Sequence, residues 1–170
     1  MTTPVEGKIC SADDAVGLVK DGDTVVSEGF TLFLQAEALS ATLEKRFLKT
    51  NHPRDLTLVF VAMHGISNKE GGIGHFAHEG LLKRVIGGYW GWFPDIGKLA
   101  LEEKIEAYNM PQGVIAQLFR DIAAKRPGCI THIGLNTFID PEFGGGRMNN
   151  TTPPDLVERI SLDGKIWLWY

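Results

Sequence analysis

Five short stretches of the chain hold residues that could bind or activate a small molecule. They are Ser27-Glu28-Gly29-Phe30, Met63-His64-Gly65, Gly88-Tyr89-Trp90-Gly91, Asn109-Met110-Pro111-Gln112-Gly113 and Asn136-Thr137. Each follows an apolar run that reads as a β-strand, and ligands in open α/β sheets gather outside the carboxyl ends of the strands. Pro111 suits a first helical turn, so Gln112 would sit where unpaired N–H groups and the positive helix end favour an anion. Its amide could meet a substrate carboxylate, or it could cap its own helix by reaching back toward Asn109. Gly29 would let a backbone N–H approach a carbonyl oxygen as an oxyanion donor, or would simply make a tight turn. Glu28 reads as a base, a nucleophile or a solvated surface carboxylate.

Two other patterns invite chemistry and carry less weight. Gly72-Ile73-Gly74-His75-Phe76-Ala77 has the letters of a dinucleotide fingerprint, but it lies too far beyond its strand for the glycines to meet a pyrophosphate. His75 and His78 are three residues apart and His64 could approach them, yet a metal site needs a third ligand at a defined place, and none is assigned.

The elements that would position these loops alternate. Ser11-Ala12-Asp13-Asp14 matches a capping box opening a helix to Lys20, and Asp21-Gly22-Asp23 turns the chain into a strand, Thr24 to Val26. Ala36, Leu39, Leu43 and Phe47 recur at helical spacing until Asn51-His52-Pro53-Arg54 stops the run. Leu56 to Ala62 is almost continuously apolar, as a strand covered on both faces should be. A Gly-rich loop, Met63 to Gly74, then leads to a helix expected over His75 to Lys83 and a third strand over Arg84 to Gly87. A helix over Pro94 to Glu103, a strand over Ile105 to Tyr108, a helix ending near Gly128 and a fifth strand from Cys129 to Leu135 complete the series. The alternation predicts an α/β fold: an open, mostly parallel sheet with helices on both faces. Residues 1–141 form its core, 142–155 a Pro/Gly-rich loop, and 156–170 a β-hairpin turning at Asp163-Gly164 that continues the domain incompletely. The aromatic last strand, Ile166 to Tyr170, calls for cover from another layer.

Composition narrows the class. The chain has 170 residues, 44% of them hydrophobic, with a formal charge of −4, so one soluble domain with a real core is expected and a nucleic-acid partner is not. No apolar run is long enough to span a bilayer, and a cytoplasmic protein is expected. Cys10 and Cys129 lack the spacing of metal ligands and read as isolated small residues.

Taken together, His52-Pro53-Arg54-Asp55-Leu56-Thr57-Leu58, Ala77 to Gly88 with Trp90-Gly91, Lys98-Leu99-Ala100 and Ile105 to Gly113 resemble the class I coenzyme A transferases, in their acetate or propionate branch. The resemblance runs in order from about Ser11 to Pro141. It implies transfer of coenzyme A between an acyl-CoA and a short-chain carboxylic acid, through an acyl-glutamyl anhydride and a glutamyl-CoA thioester. By position, Gln112 and Gly113 match the family loop whose glutamine faces the substrate carboxylate. Gly29 and Phe30 match the Gly-Gly-Phe turn beside the thioester carbonyl, with His64, Gly65, Tyr89 and Trp90 as further pocket lining. Two departures stand out: Glu28 replaces the first glycine of that turn, and Leu34-Gln35-Ala36-Glu37 replaces the usual Gly-Ile-Pro-Glu. No Glu-Asn-Gly type nucleophile motif occurs, so the resemblance implies the front portion of such an enzyme. It assigns no catalytic residue and no metal to this chain, and coenzyme A is a substrate with no tightly bound cofactor. The implied partners are acyl-CoA, small carboxylic acids, and either further copies in a homo-oligomer or a complementary C-terminal half, with turnover absent from the chain alone. A non-catalytic ligand- or partner-binding module of the same fold is the competing reading. A phosphosugar isomerase-like domain is the third, but it would want basic residues at the strand ends.

Overall fold

The computed structural model describes residues 9–65, 71–91 and 94–170. Its centre is a four-stranded, all-parallel sheet in the order β1-β2-β3-β4, formed by Thr24–Val26, Leu56–Phe60, Leu82–Gly87 and Glu106–Asn109. Helices lie on both faces, as the alternation requires. Leu56, Leu58, Phe60 and Val85 point into one core with residues of α1 (Ala12–Val16), α2 (Glu37–Thr50) and α3 (Pro94–Leu101). Val59 and Ile86 point the other way, toward Ile115 and Phe119 of α4 (Gln112–Ala123). This two-sided burial explains the near-continuous apolar spelling of β2.

Local signals behave physically where they act alone. Ser11 caps α1 by accepting from the Asp14 N–H at 3.1 Å. Asn51 closes α2 in the left-handed region at φ 59°, its N–H returning to the Phe47 carbonyl. Asp163 and Gly164, both at positive φ, turn the hairpin of β6 (Glu158–Leu162) and β7 (Lys165–Trp169).

Four expectations are corrected. The first helix stops at Val16, where the Arg46 guanidinium takes the Val16 and Val19 carbonyls at 2.5 and 2.8 Å. The helix expected over His75 to Lys83 is instead a single 3-10 turn, Gly72–Phe76, and Leu82 already begins β3. Gly80, at φ 86°, reverses the chain in between, where an added Cβ would fall 2.8 Å from the Arg54 guanidinium. The α4 helix ends at Ala123, well short of Gly128. Of the expected fifth parallel strand, only Ile130–Thr131 is extended (β5), and it pairs antiparallel with β7 in a separate three-stranded sheet.

The outer edge of β4 shows why no fifth strand adds there. That edge is occupied by the Gly-rich segment after Asp140: the Asn109 N–H donates to the Gly146 carbonyl at 2.8 Å, and the Met148 N–H donates to the Ala107 carbonyl at 2.9 Å. Thr152, 1% exposed, accepts the Ala107 N–H on its hydroxyl at 2.8 Å. Asn149 donates its amide to the Ala100 and Ile105 carbonyls. The Tyr108 hydroxyl reaches Asp155 at 2.5 Å, while Arg84 pairs with both Asp155 and Glu106. A stretch that composition spells as loop therefore seals a sheet edge. Replacing Thr152 with Val leaves a buried N–H unpaired and should lower unfolding free energy by about 1–3 kcal/mol in urea titration, with the native circular dichroism retained.

Candidate functional site

Because the four strands are parallel, their carboxyl ends share one rim, and the residues that follow them meet there. After β1, Ser27 turns inward and donates its hydroxyl to His64 Nε2 at 3.0 Å. His64 Nδ1 lies 3.2 Å from the Ala62 carbonyl, which assigns the proton to Nδ1 and leaves Nε2 to accept. The imidazole is 1% exposed, and burial, only partly opposed by the Ala62 bond, holds its pKa below the usual histidine value. It is a neutral wedge under the turn. Gly29 lies directly on it, since a Cβ at that position would fall 2.8 Å from the ring. The Gly65 N–H donates to the Thr31 carbonyl at 2.6 Å, and Phe30 and Phe33 exchange backbone bonds of 2.9 Å. This folds 30–33 into a tight loop, with Thr31 and Leu34 at φ 53° and 59° and Phe30 and Phe33 facing solvent. Non-glycine residues rarely hold that conformation, and local strain of this kind collects at functional sites.

The rim continues through backbone contacts. Glu28 accepts the Val61 N–H at 3.3 Å, and desolvation raises its carboxyl above the ordinary value against that bond. The Val61 carbonyl packs on Gly88, where an added Cβ would fall 2.5 Å from that oxygen and 2.4 Å from Gln112 Cγ. Gly88 is thus the seat on which Gln112 rests. Pro111 is the N-cap of α4 and, among the described residues, no side chain caps this end, Gln112 included. Gln112 and Gly113 are exposed at the helix start. The structure therefore places Gly29, Phe30, His64, Gly65, Gln112 and Gly113 along one rim. Tyr89 is half-exposed beside Gly91. Trp90 turns elsewhere: its indole N–H donates to the Tyr108 carbonyl at 3.1 Å and its ring packs on Phe60, so it braces the sheet. The bond between Ser27 and His64 and the contact of the Val61 carbonyl with Gly88 carry no local sequence signal, because only pairing across 37 and 27 residues respectively brings these groups together.

His75 and His78 have carboxylate partners of their own. His75 lies between Glu37 (2.7 Å) and Glu44 (2.5 Å), His78 bonds the second Glu44 oxygen at 2.6 Å, and Glu37 also accepts the Gly72 N–H at 2.7 Å. His64 is not among them. Among the described residues no group of three or more His, Cys, Asp or Glu is arranged to hold a metal ion.

The family model described as Coenzyme A transferase matches residues 9–168 of the chain. The chain belongs to the coenzyme A transferase family. It is 38% identical to acetate CoA-transferase YdiF of Escherichia coli K12, over 95% of this chain and 30% of that protein. Caffeate CoA-transferase of Acetobacterium woodii is 39% identical over 96% of this chain and 31% of its own length. The crystal structure of acyl-CoA transferase YdiF from Escherichia coli O157:H7, a thioester complex with CoA, superposes with a TM-score of 0.88 at 38% identity, covering 95% of this chain and 31% of that one. The chain thus spans about 30% of the length of these relatives. Among the described residues, no helix is long and apolar enough to cross a membrane.

Two outcomes follow from this geometry. Ala at Gly88 has no room between the Val61 carbonyl and Gln112, so Gly88→Ala should cost about 1–3 kcal/mol in denaturant unfolding and shift the Gln112 amide resonances. For His75, burial lowers the pKa but the bonds to Glu37 and Glu44 outweigh it, and the net shift is upward. Its stabilisation is full below the unfolded value of about 6.5 and is lost as pH rises through the folded value. His64 acts in the opposite sense, its contribution being complete above about pH 6.5. The urea midpoint measured from pH 6.5 to 8 should therefore fall in the parent chain and stay flatter in His75→Gln.

Proposed function

We propose that this chain forms the carboxylate-pocket portion of a coenzyme A transferase that moves CoA between an acyl-CoA and a carboxylic acid. One observation carries the reading: Gln112, at the start of α4, and the Gly29 turn lie on the same strand-end rim, joined through Glu28, Val61 and Gly88. The Gln112 amide and the positive end of α4 receive the acid's carboxylate. The Gly29–Phe30 backbone, propped by neutral His64, faces the carbonyl oxygen that gains charge. Proton transfer is not asked of His64, because both of its nitrogens are engaged inside the fold.

The nucleophile in this reading is a glutamate from a further polypeptide segment. Its carboxylate attacks the acyl-CoA carbonyl and the C–S bond breaks, releasing CoA thiolate and leaving an acyl-glutamyl anhydride. Attack of the thiolate on the glutamyl carbonyl then releases the first acid and forms glutamyl-CoA, which an acceptor acid opens by the reverse steps. CoA is a substrate, no resident cofactor is needed, and the reaction belongs in the cytoplasm. The complementary half, in cis or as another chain of an oligomer, docks on the apolar groove of about 530 Å³ between the sheet and α4. Val26 and Ile122 there are 50% and 69% exposed, and so large an apolar surface favours a protein partner.

Mixing this chain with a glutamate-bearing second half, acetyl-CoA and an acceptor acid tests the reading. Turnover should require both polypeptides, and Gln112→Ala should lower kcat/KM by about 10- to 100-fold, the effect of losing one or two polar contacts in the transition state. Ligand binding without turnover in the mixture would favour the non-catalytic module instead.

A further inference from the structure

A separate cavity of about 320 Å³ opens beside Gly88. One wall is Gly88, Asn109 and Pro111, at the carboxyl ends of β3 and β4. The other is Ile133, Phe138 and Ile139, from the turn that replaces the expected fifth strand. That turn is tightly held. The Tyr170 hydroxyl donates to the Ile133 carbonyl at 2.7 Å, and the Thr137 hydroxyl donates to the Gly134 carbonyl at 2.7 Å. Asp140, fully buried, accepts the N–H groups of Asn136 and Glu142 and faces Arg159 at 3.1 Å. Within this fixed frame Ile139 enters the core at 5% exposure, whereas Ile133 and Phe138 stay 48% and 53% exposed along the cavity. Apolar side chains lining a concave surface next to polar groups are the make-up of a ligand pocket.

We propose that this cavity receives the tail of the acid whose carboxylate sits at Gln112, and that the acid is a monocarboxylate with an apolar tail at least butyl- or phenyl-sized. The inference rests on the carboxylate reading above and narrows its substrate class. Gly88 joins the two sites, since it both lines the cavity and supports Gln112 Cγ. Size argues against acetate: a methyl group would occupy little of this open cleft of about 320 Å³ and cover little of the apolar surface of Ile133 and Phe138. Charge decides against a dicarboxylate. Among the described residues, none lining the cavity is ionisable, and a second carboxylate would lose hydration with no cation in return.

Calorimetric titration of this chain with acetate, succinate, hexanoate and 3-phenylpropanoate tests the proposal. Hexanoate and 3-phenylpropanoate should bind about tenfold or more tighter than acetate or succinate, a difference of about 1.4 kcal/mol. Phe138→Ala should reduce that preference to about threefold or less. Phe138→Leu, which keeps an apolar wall, should retain the hexanoate preference and guards against misreading a folding defect. Gln112→Ala should weaken the acids as a group. Equal affinity for acetate and hexanoate, or an unchanged preference in Phe138→Ala, would overturn the cavity assignment while leaving the carboxylate site standing. If none of the four acids binds, the carboxylate reading fails and the tail site with it.

Discussion

The outer edge of β4 must have its hydrogen bonds met, and much of the molecule is arranged around that requirement. Ala107 and Tyr108 are completely buried, so unpaired backbone groups there would be costly. A neighbouring strand would ordinarily supply the partners. Here Gly146, Met148 and the Thr152 hydroxyl do so, and Asp155 fastens the same segment to Tyr108 and Arg84. Since α4 begins three residues after β4 ends, the location of Gln112 is inherited from this edge. Tyr108 adds rigidity, its carbonyl taking the Trp90 indole and its ring lying under the Arg84 guanidinium, 5.5 Å from the centroid.

Two histidines support the rim by opposite physics. His64 is buried against backbone and a hydroxyl, with no carboxylate among its hydrogen-bond partners in the described residues, so desolvation decides its state and it serves as a neutral wedge beneath Gly29. His75 is also shielded, but two carboxylates of α2 bracket its ring and their attraction outweighs the burial. Glu37 and Glu44 respond in kind: burial raises both, yet the Gly72 N–H and His75 for one, and His78 and His75 for the other, hold them below the usual carboxylate range. The first device sets the shape of a turn, and the second clasps the Gly72–Phe76 turn to α2.

Much of this was legible in the residues. The apolar run Leu56 to Ala62, the stripe through Leu43 and Phe47, the Asp163-Gly164 turn and the capping serine each act through neighbours within a few positions, and each appears about where local rules put it. The motif Asn109 to Gly113 marks the strand-to-helix turn after β4, and Gly29 marks the turn after β1, each read from its place at a strand end. The failures share a cause. His75 to Lys83 has helical-looking spacing, but its histidines bond Glu37 and Glu44 of α2, 31 to 38 residues away. Cys129 to Leu135 has strand-like residues, but the place beside β4 was already taken, and Tyr170 offered another partner through paired 3.0 Å bonds with Cys129.

By itself, then, the sequence determined the class of fold, the order of most elements, the identity of the rim loops and membership of the transferase family, because those depend on periodicity, turn chemistry and residue order. Only the tertiary structure decided that residues 146–152 seal the sheet, that Trp90 braces it instead of facing the rim, that His64 is a neutral support and His75 a bridging partner for two carboxylates, and that Gly88 seats Gln112 beside an apolar cavity. The physical reason is range. A hydrogen bond or a van der Waals contact needs its partner within a few ångströms, and here those partners lie tens of residues apart along the chain until the sheet brings them together.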